Sequence, residues 1–598
     1  MALFTPSASP AVTVKEIDLT GVVPNVQTST GAFVGNFGWG PVGEVTLVSD
    51  ESGLVSRFSA PTTDNTVDFH SAAYFLRYSN SLQVVREQDS DATNAYFASD
   101  SAGGAAQALN NLDAFESATI DSSDGIFIAK YPGELGNSLK VSYCTTVDSD
   151  NGGVAAFNNW TYKGKFDAAP KTSDYVSKLG GKNDEIHVVV VDEDGEITGT
   201  AGEVLETFPF LSVASNAKRA DGTSNYWKDV IKLQSEWIYY GKFHRSSSDS
   251  DNSDLCGSNW DTAATQAGNE DFKADHGGKS GNRDGAVGTF KVSLGGGVSS
   301  STLGTDDILR GFDKFEDKDN IEVDFLIAPE SLTDTPATTI VNDLITTAGS
   351  TRKDCVVVAS PSRAAVVTTG TNDAVLACNN TYTKSSYLVH DNNYLKVFDK
   401  YNDQYIKIPA ASSTAGLMAA TDLVAAPWFS PAGARRGRYL GVTDIVLSPS
   451  KAERDALYKA GINPIANIPG DGIMLFGDKT NESRPSAFDR INVRRLFLGI
   501  ERAIAIAGRN VMFEFNDEFT RAEFVNIVEP FLREIKGRRG ITDFRVVCDA
   551  TNNTAAVVDR NEFVASIFIK PARSINYVTL NFVAVRTGVE FEEVVGTV

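Results

Sequence analysis

Residues 321–329 read IEVDFLIAP and residues 354–360 read DCVVVAS, with a polar segment at 336–349 that predicts a helix between them. Two apolar runs joined through a helix are typical of a β-α-β unit whose strands are covered on both faces. Residues 30–43 (TGAFVGNFGWGPVG) and 81–87 (SLQVVRE) repeat the pattern near the start of the chain. These stretches predict an α/β domain built around a largely parallel sheet.

The spacing of these stretches predicts that the α/β domain is interrupted. Residues 25–97 together with 305–380 form it, and residues 98–304 form an insertion. The insertion is rich in Gly, Ser, Asp and Asn, which favours a β-rich domain at the surface. Residues 1–24 are an extended arm, and residues 381–598 are a C-terminal α/β domain. The fold class is therefore α+β and multidomain, as expected for 598 residues.

A β-hairpin is predicted inside the insertion, where residues 185–199 read EIHVVVVDEDGEITG. An Asp-Gly pair between two apolar runs favours a two-residue turn, here Asp194 and Gly195. His187 lies in the first run, where a hydrogen-bonded, partly buried histidine is expected.

Two long helices are predicted in the C-terminal domain. The first has an apolar stripe over 493–507 and ends at Gly508 as its C′ glycine. The second begins with Thr520 as N-cap, has Glu523 in the position of a capping box, and ends at Gly537.

The charge distribution is uneven. The chain has a net charge of −23, yet residues 484–545 carry 12 Lys and Arg against 9 Asp and Glu. A local basic surface on an acidic protein indicates an acidic partner. The arm at 1–24 could reach roughly 60–70 Å, and the apolar alternation at 574–585 (SINYVTLNFVAV) predicts a terminal strand free to pair outside its own domain. Together these features favour an assembly subunit.

Other classes of function find little support. Residues 277–280 (GGKS) resemble the end of a phosphate-binding loop, but Lys273 stands where its first glycine is needed. Residues 249–254 lack the glycine of a calcium loop. The five histidines share no metal spacing, and the five scattered cysteines favour buried free thiols. We expect no catalytic residues, no metal site and no cofactor.

Nucleic acid and membrane partners are not expected either. The acidic balance argues against nucleic acid as the main partner. No apolar run approaches the ~20 residues that span a bilayer, and the N-terminus does not resemble a secretory signal.

Several segments resemble the contractile tail sheath proteins of bacteriophages, of the T-even type. The resemblance covers most of the chain and is weakest at 231–290. It is carried by AKYPGELGNSLKV at 129–141, by 185–230, by SSY at 385–387, AG at 415–416 and PAG at 431–433, by KAERDALYKAGINPIANIPGDGIMLFGDKT at 451–480, and by VRRL at 493–496. Residues 390–392 depart from the family pattern, since His-Asp-Asn stands where many members have an aromatic-Pro-Trp run.

The resemblance implies a structural subunit. Hexameric rings would stack helically around a tail tube and contract without nucleotide to drive the tube through the host envelope. Residues 381–598 would be the sheath core domain, and 98–304 the outer domain. The arm and the terminal strand would each pair with neighbouring subunits, through Val12, Val14, Ile17, Tyr577, Thr579, Asn581 and Val583.

The resemblance also implies partners. A basic helix would face an acidic tail tube, and the residues that match by position are Arg533, Lys536, Arg538 and Arg539. From pattern alone, a solvated mixed-charge helix face fits these residues equally well. Further partners would be baseplate and tail terminator proteins, in a virion tail assembled in the bacterial host cytoplasm. The sheath of a bacterial contractile injection system or tailocin would share every feature, and a capsid or shell protein is a third class.

Overall fold

A computed structural model describes residues 29–97, 108–119, 126–146, 152–241, 256, 259–266, 270–273, 284 and 288–575, with side chains omitted at 152–155. The expected arm, with Val12, Val14 and Ile17, lies outside these residues. So do Tyr577, Thr579, Asn581 and Val583 of the expected terminal strand, and the segments at 249–254 and 277–280.

The strands, in chain order, are β1 (Gly31–Gly35), β2 (Val45–Val48), β3 (Leu82–Arg86), β4 (Asn94–Tyr96), β5 (Phe127–Pro132), β6 (Leu139–Thr145), β7 (Glu185–Asp192), β8 (Glu203–Ser212), β9 (Ile238–Tyr240), β10 (Thr289–Ser293), β11 (Phe325–Ile327), β12 (Val356–Ala359), β13 (Leu388–Asp391), β14 (Tyr394–Asp399), β15 (Gln404–Pro409), β16 (Asp444–Ile445), β17 (Ile462–Asn463), β18 (Ile465–Ile468), β19 (Gly472–Leu475), β20 (Ile541–Val547) and β21 (Ser566–Pro571).

The α-helices are α1 (Glu51–Phe58), α2 (Thr66–Leu76), α3 (Leu112–Ser117), α4 (Gly152–Asn159), α5 (Asp174–Lys178), α6 (Trp227–Gln234), α7 (Thr305–Asp313), α8 (Asp334–Thr346), α9 (Asn372–Thr381), α10 (Ala411–Val424), α11 (Lys451–Lys459), α12 (Ile491–Arg509), α13 (Glu518–Gly537) and α14 (Ala555–Val558). Short 3₁₀ turns lie at Glu134–Ser138 and Lys163–Lys165, and π-helical turns at Thr347–Arg352 and Ala364–Thr369.

The chain divides into two compact units. Among the described residues, the terminal unit comprises Ala425–Ser430 and 486–575, and the central unit comprises those within 29–424 and Pro431–Pro485. The division of the sequence into four domains remains a prediction.

A seven-stranded sheet organises the central unit, in the order β17-β13-β12-β11-β1-β3-β2. All its neighbouring strands are parallel except β2, which pairs antiparallel with β3. The predicted β-α-β unit is confirmed as β11, α8 and β12. Through β13 and β17 the sheet also extends past residue 380, the predicted end of the interrupted domain.

Both faces of this sheet are covered, as the apolar runs predict. On one face, Phe312 of α7 and Leu344 of α8 pack with Val34, Leu326 and Val357 of the strands. On the other, the ring of Phe75 in α2 meets the edge of Phe325 in β11, with 6.4 Å between ring centroids. Continuous burial of both faces explains why these strands lack polar alternation.

Helix α10 is deeply packed, with ten of its 14 residues buried. Its Gly416 faces Tyr78, because a Cβ added at Gly416 would lie 2.4 Å from Tyr78 Cδ2. Only glycine permits this close approach without movement of the tyrosine.

Two antiparallel sheets form most of the insertion, in the orders β10-β6-β7-β8 and β4-β5-β9. An aromatic-rich core joins them, with Phe127, Tyr143, Trp227, Trp260 and Phe290 all buried. The predicted β-rich character of this region therefore holds in the residues that the structure describes.

The predicted two-residue hairpin turn is wrong. β7 ends at Asp192 and β8 begins at Glu203, so the connection spans ten residues. Asp192 organises this longer loop, because its carboxylate accepts hydrogen bonds from the backbone N–H groups of Gly195 (3.0 Å) and Thr198 (2.7 Å). His187 is buried and hydrogen-bonded as predicted, to Ala168 O and to the backbone N–H of Phe210.

A buried arginine connects the insertion to the large sheet through hydrogen bonds. Arg86, at the end of β3, donates to the backbone carbonyls of Phe37 (2.8 Å), Gly40 (2.6 Å) and Pro132 (2.6 Å). Burial lowers the pKa of this guanidinium to about 9. Because Pro132 belongs to β5, one side chain links the two parts of the central unit.

Residues 390–392, which depart from the pattern that the resemblance implies, are all buried and form a polar network. His390 Nδ1 lies 2.9 Å from Asn379 Oδ1, and the Asn392 side chain accepts from the backbone N–H of Ile465. The Asp391 carboxyl accepts from Ser360 Oγ (2.9 Å) and from the backbone N–H of Asn393. Burial raises the pKa of Asp391 to about 7.

All five cysteines are free and buried, which confirms the expected thiols. In the described part of the chain, no cluster of three or more His, Cys, Asp or Glu side chains is arranged to hold a metal ion. Within the same residues, no helix combines the length and apolar character needed to cross a membrane.

Candidate assembly surfaces in the terminal unit

Two long helices and a two-stranded sheet form the described part of the terminal unit. Leu496 and Ile500 of α12 pack with Phe524, Val528 and Leu532 of α13. The apolar spacing of three and four residues places these side chains on one stripe of each helix. Pro530 lies inside α13, where it removes one backbone donor and favours a bend.

The predicted ends of these helices are partly wrong. α13 begins one turn earlier than predicted, with Asp517 as N-cap, because the Asp517 carboxylate accepts from the backbone N–H of Thr520 (2.8 Å). This hydrogen bond lowers the pKa of Asp517. α12 runs through Gly508 to Arg509 and ends at Asn510. The predicted end of α13 at Gly537 is confirmed.

Strands β20 and β21 pair antiparallel and form a sheet of two strands. Ile567 and Ile569 of β21 pack against the helices, while Phe568 and Lys570 alternate with them on the outward face. Neither strand has a second neighbour among the described residues. Each therefore presents an outer edge of backbone N–H and C=O groups to which a further strand can pair.

The four predicted tube-facing residues lie together at the C-terminal end of α13. Arg533 and Lys536 are in its last turns, Arg538 is its C-cap, and Arg539 follows in the left-handed region with φ of 67°. The backbone N–H of Gly540 donates to Ile535 O, which closes the helix as a Schellman motif does. The structure thus brings the four cations onto about two helical turns.

Carboxylates partly balance this basic cluster. Arg533 lies 3.6 Å from Glu529, and Arg538 lies 3.5 Å from Glu534. Lys536 Nζ donates to Asp543 Oδ1 at 3.1 Å, which lowers the pKa of Asp543. The Arg538 guanidinium also lies over the Trp428 ring, 4.9 Å from its centroid. These exposed pairs fix the direction of the side chains more than they stabilise the fold.

The loop between α12 and α13 exposes an unusual set of apolar side chains. Met512, Phe513, Phe515 and Phe519 are all more than half exposed, within eight consecutive residues. Phe513 is fully exposed and has a φ of 71°, a conformation uncommon for a bulky residue. We name residues 512–519 the apolar loop.

This architecture matches that of a known protein family. Residues 301–481 match the model of the phage tail sheath protein central domain, and residues 483–584 match that of the phage tail sheath C-terminal domain. The tail sheath protein of Vibrio phage KVP40 is 31% identical over 98% of this chain and 99% of its own length. That of Enterobacteria phage T4 is 32% identical over 98% and 99%. This chain belongs to the phage tail sheath protein family.

Structural comparison agrees on the fold. The crystal structure of a sheath tail protein from Listeria innocua aligns with 91% of this sheath-family chain and 96% of its own, with a TM-score of 0.51 and 12% identity. The segment matched by the C-terminal family model contains α12, α13, β20 and β21, and so includes every described candidate surface.

Other basic residues of this sheath-family segment have a structural role. Arg494 and Arg495 are buried, and the Arg494 guanidinium lies 4.1 Å from the centroid of the Phe488 ring. The local basic excess in the sequence thus combines packed arginines with an exposed cluster.

Neither the apolar loop nor the outer edges that β20 and β21 present among the described residues are predicted from the sequence. For the loop, a signal exists in the alternation of apolar and acidic residues at 511–519 (VMFEFNDEF), between two helices. For β21, the SIFIKP run lies 18 residues beyond the end of β20, and pairing over that distance is not visible in local pattern.

Proposed function

We propose that this chain is the subunit of a contractile phage tail sheath, whose hexameric rings stack helically around a tail tube. The observation that supports this proposal most strongly is the two-stranded sheet of β20 and β21, with both outer edges open among the described residues. A pair of strands is a small sheet on its own, and two added strands from other subunits would extend it to four.

The two ends of the chain are the segments we propose to occupy these edges. The arm at 1–24 pairs with one edge in a neighbouring subunit, and the terminal strand at 574–585 pairs with the other. Backbone ladder bonds suit such links, because they hold without depending on particular side chains while the subunits rotate. The residues assigned to the links are Val12, Val14, Ile17, Tyr577, Thr579, Asn581 and Val583.

The basic cluster at the end of α13 is the surface we propose to face the tail tube. Arg533, Lys536, Arg538 and Arg539 are held close together, and an acidic tube surface would complement them. Baseplate and tail terminator proteins would contact the two ends of the sheath. The assembly would be built in the host cytoplasm and carried in the virion tail.

Contraction in this proposal uses no nucleotide. The free energy comes from contacts between subunits, which increase when the extended lattice shortens and widens. An additional ~400 Å² of buried apolar surface per subunit would provide at most ~10 kcal/mol, less the cost of restricting the subunits. The inserted domain would lie on the outside of the sheath.

Removal of the arm tests the proposal. Deletion of residues 1–20 is expected to leave a folded monomer that forms no tubes by electron microscopy. A sharper pair of variants changes only the backbone: Val12→Pro with Val14→Pro removes two ladder donors, whereas Val12→Thr with Val14→Thr keeps them. The Pro variant should remain monomeric and the Thr variant should polymerise. Normal tubes from the deletion variant would refute the arm's role.

A further inference from the structure

The apolar loop is held in place by hydrogen bonds to neighbouring residues. Asn516 is fixed on both sides: its Nδ2 donates to Glu562 O (2.8 Å), and its Oδ1 and backbone O accept from Arg521 (2.9 and 3.0 Å). The backbone N–H of Asp517 also donates to Phe515 O (2.9 Å). The loop thus holds phenylalanines outward in a fixed conformation. Such preorganisation favours binding, because little conformational freedom is lost on contact.

Acidic side chains outnumber basic ones around the apolar loop, which is flanked by Arg509 and Arg521. Glu514, Asp517 and Glu518 are exposed within or beside it. An apolar centre with an acidic rim is typical of a protein-binding surface and calls for an apolar partner with basic neighbours.

The same chain carries a surface of the required kind on a different face of the terminal unit. On the outward face of the hairpin, Phe568 is exposed directly opposite Arg545, and Lys570 follows on the same face. Arg573 and Ile575, just beyond the strand, are exposed too. This outward hairpin face carries Phe568 and two basic side chains, together with the exposed Asp543 opposite Lys570, and a contact with it leaves the outer edges of β20 and β21 available.

We propose that the apolar loop of one subunit docks on the outward hairpin face of a second copy of this chain. The two surfaces are complementary in charge and apolar character but lie on different parts of the subunit, so the contact is head-to-tail. A heterologous contact of this kind repeats into rings or open helices and not into closed dimers. The inference rests on the proposed sheath function and adds to it a side-chain interface distinct from the strand links.

Cysteine crosslinking tests this contact in assembled tubes. Phe515→Cys and Phe568→Cys subunits are made separately, mixed, polymerised and treated with a short bismaleimide. Because all five native cysteines are buried, background reaction should be low, and wild-type tubes measure it. We expect crosslinked dimers in the mixture and none from either variant alone. Leu233→Cys, at an exposed position in the insertion, replaces Phe515→Cys in the control mixture and should give none.

Any other outcome of the crosslinking experiment contradicts the proposed contact between the apolar loop and the outward hairpin face. Dimers from Phe515→Cys alone would indicate a symmetric interface. Tubes without the mixed crosslink would overturn this contact and leave the sheath function intact. Failure of the wild type to form tubes would overturn both.

Charge reversal provides an independent measurement. Glu518→Lys and Lys570→Glu, each at an exposed position, should each raise the critical concentration for tube formation about three- to fivefold at low salt. The double variant should return to within about twofold of wild type, because the reversed pair attracts again. Additive weakening in the double variant would show that these residues do not face each other across the interface.

Discussion

Helices α10 and α13 show how differently the two units use their surfaces. Ten residues are buried in the 14-residue α10, but only five in the 20-residue α13. α10 is enclosed by its own unit except at Leu423 and Val424, which are exposed at its end, whereas α13 presents charged residues and follows directly on the apolar loop. The difference teaches that α10 is held mainly by packing inside its own unit, while α13 leaves most of its surface open, which fits the contacts with other molecules that we propose for the terminal unit. Changes in the central unit should therefore reduce stability, and changes in the terminal unit should reduce assembly.

Loss of Arg86 should have the largest effect on stability. Arg86→Met leaves the carbonyls of Phe37, Gly40 and Pro132 without this donor, which should lower the free energy of unfolding by about 3–5 kcal/mol in urea titrations. Arg533→Met, on the exposed face of α13, is the matched control and should change it by less than about 0.5 kcal/mol. Equal losses of unfolding free energy at the two positions would contradict the proposed difference between the units.

The buried Asp391 should make the central unit sensitive to pH. Its pKa is about 7 in the fold against about 3.9 in an unfolded chain, so the folded state binds the proton more tightly. Stability from this group is complete below about pH 4 and is lost as pH rises through 7. Relative to Asp391→Asn, the wild type should lose up to about 4 kcal/mol of unfolding free energy between pH 4 and 8.

Calorimetric or urea unfolding of both proteins at several pH values measures this difference. Asp64→Asn, at an exposed position, controls for the substitution itself. A constant difference between wild type and Asp391→Asn over this range would show that the Asp391 carboxyl is not held protonated by burial.

Two helix glycines, one in each unit, test the same difference between the units with smaller expected effects on stability. Gly416→Ala forces a methyl group against Tyr78 and should destabilise the fold by about 1–3 kcal/mol. Gly499 lies in α12 with nothing within 4 Å of an added Cβ, so Gly499→Ala should stabilise it by up to about 1 kcal/mol through helix propensity. Thermal unfolding of the two variants should shift in opposite directions.

Changes in the basic cluster should have the smallest effect on the free energy of unfolding and the largest effect on binding to the tail tube. Lys536→Glu with Arg539→Glu should change the free energy of unfolding by less than about 1 kcal/mol, since both positions are exposed. Co-sedimentation with tail tubes should fall at low salt, where charge attraction is least screened. Lys165→Glu with Lys318→Glu, exposed in the central unit, is the control. Unchanged co-sedimentation would remove α13 from the tube interface.

The parallel sheet was predictable because its strands are buried on both faces, and continuous apolar runs such as VVVA and FLI record that burial directly. The ends of α13 were less predictable. Thr520 and Asp517 are both good N-caps, and the hydrogen bonds of Arg521 to Asn516 help to hold the start at Asp517. Those contacts depend on tertiary structure and leave no local pattern.

The site was predictable only in part. The basic residues at 533–539 stand out because they follow an apolar helix stripe, and the structure brings them together. Arg494 and Arg495 are also basic residues of this region, but they are buried, since they lie on the packed side of α12. Charge alone therefore does not distinguish a solvent-facing arginine from one that packs on an aromatic ring.

The burial of every cysteine has a chemical consequence for an assembly of many copies. Burial raises the pKa of Cys144 to about 12 and also raises those of Cys378 and Cys548, so reactive thiolate is scarce. Neighbouring subunits in a dense lattice then have no accessible sulfur through which to exchange disulfides. In the proposed sheath, links between subunits would therefore stay noncovalent, and a lattice that contracts would not be locked beforehand by oxidation.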